Sequence, residues 1–112
     1  MEELLTIFPY FESSCYKTPE FGAFAIKFKR LFKKSFPECN VKLSAWHFYL
    51  SGFIEKDWKY IYISTWDVRP SWDWQMLYRT AKNDKDFTGW SNHYTNVYNY
   101  KRDIDLLFNQ IQ

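Results

Sequence analysis

The sequence predicts an α+β domain: an antiparallel sheet of about four strands, a long amphipathic helix before it and a C-terminal helix after it. Three observations lead there. Pro19 to Phe36 places its apolar residues at helical spacing. Residues 41–98 hold four segments of β-branched and aromatic character, separated by turn residues. Tyr100 to Ile111 then returns to helical spacing. Strands grouped between two helices, rather than alternating with them, make the class α+β. The 112 residues fit one domain, spanning 1–112.

The first helix is well punctuated. At 100° per residue Phe21, Phe24, Ala25, Phe28, Leu31, Phe32 and Phe36 fall on one arc of about 140°. Lys27, Lys29, Arg30, Lys33 and Lys34 fall opposite. Thr18 suits an N-cap and Pro19 suits the first helical position, where no amide bond is lost. Pro37 ends the helix, because it lacks an amide and pushes Phe36 out of the helical region. Upstream, Glu2 to Ser14 reads as one short helix or two pieces broken at Pro9.

The strands follow in order. Val41 to Gly52 alternates, but neither of its faces is cleanly polar, which predicts a strand that is central or covered on both sides. Phe53 to Asp57 reads as a turn with Glu55, Lys56 and Asp57 at its tip. Trp58 to Asp67 is the best strand pattern: Ile61, Ile63 and Thr65 point one way, against the helix, and Trp58, Tyr60, Tyr62, Ser64 and Trp66 point the other. Asp67 to Asp73 is a loop around Arg69-Pro70-Ser71. Trp74 to Ala81 is a third strand and Asn92 to Tyr98 a fourth, with Asn99 as the expected cap of the closing helix.

Composition bounds the function. Apolar residues make up 46% and charged residues 25%, as in a folded soluble domain, whereas aromatics reach 23%. A chain this small cannot bury 11 Phe, 9 Tyr and 6 Trp completely, so some are expected on a contact surface. The N-terminal MEELLTIF lacks the order of a signal peptide, and no apolar run is long enough to span a membrane, so a cytoplasmic location is the expectation. Cys15 and Cys39 have no CxxC spacing and read as free thiols. The net charge of +2 is unevenly placed. The first helix has five basic residues against Glu20, leaving ten basic against twelve acidic residues elsewhere. The outer arc of that helix therefore makes the protein basic, and Lys27, Lys29, Arg30, Lys33 and Lys34 form the first candidate binding face.

The second candidate is the polar stretch from Arg79 to His93. Arg79, Lys82, Lys85, Asp86, Asn92 and His93 concentrate charge and hydrogen-bonding groups there. A nuclease could use His93 as base and Arg79 or Lys82 to hold phosphate, and Asp84, Asp86 and His93 could ligate a metal. Neither pattern is complete. The acids stand beside lysines, and Asn83-Asp84 and Thr88-Gly89 are ordinary turn dipeptides, so the stretch reads first as a charged loop. His47, between Trp46 and Phe48, reads as a core histidine. No serine-nucleophile or phosphate-cradling glycine signature is present, and no catalytic residue, metal or cofactor is assigned. The third candidate is aromatic. Tyr60, Tyr62, Trp66 and Trp90 could stack on unpaired bases while the basic arc holds phosphate, giving a nucleic-acid-binding module.

Arg79-Thr80-Ala81-Lys82, Lys85-Asp86-Phe87-Thr88-Gly89 and Ser91-Asn92 together resemble a segment of small accessory proteins from phages, plasmids and conjugative elements. In size and aromatic content the chain also resembles the anti-CRISPR class, which has no shared fold or motif from which a functional residue could be transferred. The resemblance implies a phage or mobile-element inhibitor, not an enzyme, that blocks a host defence nuclease by stoichiometric binding to the Cas nuclease or its guide RNA. A net charge of +2 does not suit a mimic of double-stranded DNA and suits contact with guide RNA or an acidic protein surface.

Overall fold

The computed structural model describes residues 19–46, 49–65, 75–86, 91–96 and 98–111. Helix α1 (Pro19–Ser35) is followed by strands β1 (Asn40–Trp46), β2 (Tyr49–Lys56), β3 (Lys59–Thr65), β4 (Gln75–Ala81) and β5 (His93–Asn96), and by helix α2 (Tyr100–Gln110). The strands form one antiparallel sheet in the order β1-β2-β3-β4-β5. The α+β class and the flanking helices are as the sequence predicts, with five strands in place of about four.

The extra strand comes from Val41 to Gly52, which is a hairpin and not one strand. Trp46 pairs with Tyr49, so the register runs Ala45↔Leu50 and Val41↔Ile54. This connection reverses the parity of the pattern: odd residues face the helices in β1 and even residues face them in β2. The two strands read as one therefore show no clean polar face. β2 also continues through residues expected to turn. Phe53 to Lys56 is strand, and the turn falls at Asp57 and Trp58, after the Lys56↔Lys59 pair. Trp58 thus belongs to the turn and not to the strand that follows. The expectations for Glu2 to Ser14, Cys15, Thr18, His47, Trp66, Asp67 to Asp73 and Trp90 lie outside the described residues.

Both helices cover one sheet face. α1 supplies Ala25, Phe28, Phe32 and Phe36 and α2 supplies Tyr100, Ile104, Leu107 and Phe108, all buried. They form one core with Leu50, Ile54, Ile61, Ile63, Met76 and Tyr78. The isoleucine side of β3 thus faces the helices, as expected. Phe28, Phe32 and Tyr100 stack in succession, with ring centres 5.6 and 5.2 Å apart. The Ser35 and Tyr100 hydroxyls are hydrogen-bonded, joining the end of α1 to the start of α2. Asn99 does not cap α2 with its side chain. Asn96 organises the approach instead: its Oδ1 accepts from the amides of Tyr98 and Asn99 at 2.9 and 3.0 Å.

Candidate functional site

Phe28 and Phe32 of α1 turn inward, and its cations turn outward. Lys27, Arg30, Lys33 and Lys34 are exposed and Lys29 is partly exposed. α1 packs alongside β1, which is an edge of the sheet among the described residues. Between them lies a groove of about 320 Å³ lined by Lys29, Arg30 and Lys33 from the helix and by Val41, Lys42 and Leu43 from the strand. The groove has an apolar floor of Val41 and Leu43, with the three helix cations Lys29, Arg30 and Lys33 along it. Lys42 was not picked out from the sequence. As an even residue of β1 it points to the sheet face opposite the helices, in register with Phe53 and away from the helix cations. Lys42 also meets Asp84 at 3.5 Å, with the side chains 67% and 41% exposed, a surface pair worth little.

The aromatic candidates lie elsewhere. Tyr60 and Tyr62 are half-buried on the sheet face opposite the helices, where cross-strand pairing aligns Phe53, Tyr62 and Arg79 in one row. Phe53 meets Tyr62 edge-on at 5.3 Å, and the Arg79 guanidinium lies over the Tyr62 ring. Arg79 is only 4% exposed, and its Nη1 has no hydrogen-bond partner among the described residues. The basic arc and the β3 tyrosines therefore do not share a surface, and the Tyr62 face is already engaged.

The polar stretch is divided. Arg79 belongs to β4, within the strand expected over Trp74 to Ala81, and only the residues after it form a loop. Lys82, Lys85 and Asp86 make a self-contained turn: the Lys82 amide donates to Asp86 Oδ2 at 3.0 Å, and the Lys85 amide donates to Asn83 Oδ1 at 2.8 Å. The Asp86 carboxylate thus serves its own turn. Asn92 and His93 are exposed, and the His93 ring lies 5.3 Å from Tyr78 on the helix side of the sheet, away from the face that carries Arg79. No group of three His, Cys, Asp or Glu residues gathers to hold a metal among the described residues.

A second concavity of about 300 Å³ lies where α1 ends, bordered by Cys39, Lys56 and α2. Its charges are internally matched: Lys56 pairs with Glu38 at 3.0 Å and Lys101 with Asp105 at 2.7 Å. The hydrogen bond from Lys56 lowers the Glu38 carboxyl below its usual range and raises the Lys56 ammonium in turn. Burial raises the Cys39 thiol above its ordinary value. A half-buried, protonated thiol among paired charges is not an activated nucleophile.

One further feature went unread in the sequence. Asp57 and Trp58 both have positive φ, 53° and 68°, at the tip of the β2–β3 hairpin, and Trp58 is 88% exposed. The aromatic excess signals surface aromatics in general, but which one projects depends on the strand register. No protein-family model matches the chain, and neither does any curated protein or solved structure. No described helix is long and apolar enough to cross a membrane.

Proposed function

We propose that the protein is a stoichiometric binding protein that holds an RNA backbone in the groove between α1 and β1. In the mobile-element setting suggested by residues 79–92, that RNA is the guide of a host defence nuclease, and occupying it inhibits the nuclease. The observation that carries this reading is the alignment of Lys29, Arg30 and Lys33 along one concavity floored by Val41 and Leu43 of β1. A basic arc on an open helix face is satisfied by solvent alone. Cations spaced along a groove are suited to an extended anion, and these stand in a chain whose charge is negative outside α1. The division of Arg79 from His93 supports binding over phosphoryl chemistry, since the proposed base and phosphate holder face opposite sides of the sheet.

The test combines binding with inhibition. Single-guide RNA should bind the wild type with an affinity that falls with salt, at a slope of roughly −2 for about three phosphate contacts on single-stranded RNA. The triple variant Lys29→Glu, Arg30→Glu, Lys33→Glu should lose both the binding and the slope. Candidate Cas nucleases should lose cleavage in proportion to added protein. Full cleavage at large excess, with no RNA retained on the wild type, removes the reading.

A further inference from the structure

The β2–β3 turn carries a residue that its own conformation disfavours. Lys56 and Lys59 close the hairpin, leaving Asp57 and Trp58 as its two connecting residues, both in the left-handed region. Two-residue turns of this kind fit the twist of the strands and prefer Asn-Gly or Asp-Gly, because glycine accepts positive φ without strain. Asp57 matches the first position. At the second, the indole replaces the expected glycine and its Cβ crowds the backbone. Nor does burial compensate, since Trp58 is 88% exposed. The residue is disfavoured twice over within the chain, by its backbone and by its exposure. A side chain held this way at a projecting tip gains its favourable contacts from outside.

We propose that Trp58 is a stacking post for an unpaired base of the same RNA strand whose phosphates lie in the α1–β1 groove. This inference rests on the RNA reading of that groove. Three features favour a base as the occupant. The indole projects with its faces open to solvent. Lys59 follows it directly, so a cationic side chain lies beside any backbone that approaches. It is also close to the groove: Val41 pairs with Ile54, three residues before Asp57, which is about 10 Å along the strand. A strand leaving the groove towards the tip reaches Trp58 after a short span. Aromatic side chains beside a basic track are the arrangement that holds single strands without reading their sequence.

The experiment uses a labelled oligoadenylate dodecamer, alone and annealed to oligouridylate, with wild type, Trp58→Gly, Trp58→Phe and the groove triple variant. Trp58→Gly should raise the melting temperature, because it relieves the turn. It should weaken single-strand binding by about 5- to 150-fold while leaving the salt slope unchanged, since a stacked base carries no phosphate contact. Trp58→Phe should keep most of the affinity, and duplex binding should be the same in Trp58→Gly as in wild type. Unchanged single-strand affinity in Trp58→Gly overturns the stacking role, and the groove reading stands if the triple variant still loses binding. If the wild type binds no RNA, both fail. A lower melting temperature for Trp58→Gly makes Trp58 a structural residue and also overturns the proposal. So does loss of nuclease co-elution with RNA affinity intact, which would make the indole an anchor for a protein pocket.

Discussion

The Arg79 guanidinium carbon lies 4.1 Å from the centre of the Tyr62 ring, on the sheet face that neither helix covers. The ring offers a partial counter-charge, but Nη1 is buried without a hydrogen-bond partner among the described residues. A buried cation served in this way costs desolvation that the contact does not fully return. Arg79→Met keeps an unbranched apolar stem over Tyr62 and removes the orphan donor. Its urea midpoint should equal or exceed that of wild type, whereas Arg79→Ala, which leaves a hollow, should fall by about 1–3 kcal/mol. A clear loss for Arg79→Met would show that the charge itself is held by an anionic partner.

The approach to α2 depends on Asn96 and not on Asn99. Asn96 Oδ1 accepts two backbone amides before the helix begins, and the Asn99 side chain makes no capping bond. Asn96→Ala should cost about 0.5–2 kcal/mol, in the range of lost caps. Asn99→Ala should stay within about 0.5 kcal/mol of wild type, as surface changes do. Equal losses in parallel denaturant titrations would contradict this assignment.

The two asparagines show how far the sequence could be read. α1 was legible because its signals are local: Pro37 stops it, and Phe28, Phe32 and Phe36 recur at helical spacing down to the core. The inward side of β3 was legible for the same reason, with Ile61 and Ile63 alternating against polar and aromatic residues. What could not be read depended on pairing partners. The β1–β2 hairpin closes between Trp46 and Tyr49 without a glycine, proline or asparagine to mark it, so its reversal of parity looked like a strand covered twice. The same misreading placed the next turn too early and hid Trp58 in a strand. For the candidate site, the helix cations could be listed from the arc, but the apolar floor that Val41 and Leu43 give their groove exists only because α1 lies against that edge. Arg79 was legible as a strand residue, but its pairing with Tyr62 was not, because that depends on the register between strands.

Alkaline stability should depend on Tyr78. Burial raises its phenol above the ordinary value of 10.0, and the nearby Asp103 carboxylate adds to the shift. The folded protein therefore holds the proton more tightly than the unfolded chain. Stability from this source is complete below the ordinary phenol value and is lost as pH rises through the folded one. The burial-raised Cys39 thiol acts in the same direction. The melting temperature should decline as pH rises beyond about 9, and Tyr78→Phe should flatten that decline. A profile for Tyr78→Phe that overlays the wild type would remove Tyr78 as its source.

Gly52 links the stability of the hairpin to the groove. It faces the helices from β2, opposite Leu43, and a Cβ placed on it would lie 1.8 Å from the Lys42 carbonyl oxygen. That oxygen belongs to backbone, so no side-chain rotation can relieve the clash and β1 itself must move. Gly52→Ala should therefore cost about 1–3 kcal/mol or more, as forced overpacking does. The strand that moves also carries Val41, Lys42 and Leu43, so the damage should extend to binding. Where enough Gly52→Ala remains folded for titration, its RNA affinity should fall together with its salt slope, because Val41 and Leu43 no longer close the groove beside the helix cations. This differs from Trp58→Gly, for which the slope is expected to stay. A Gly52→Ala protein with wild-type melting temperature and wild-type slope would show that β1 does not hold the groove.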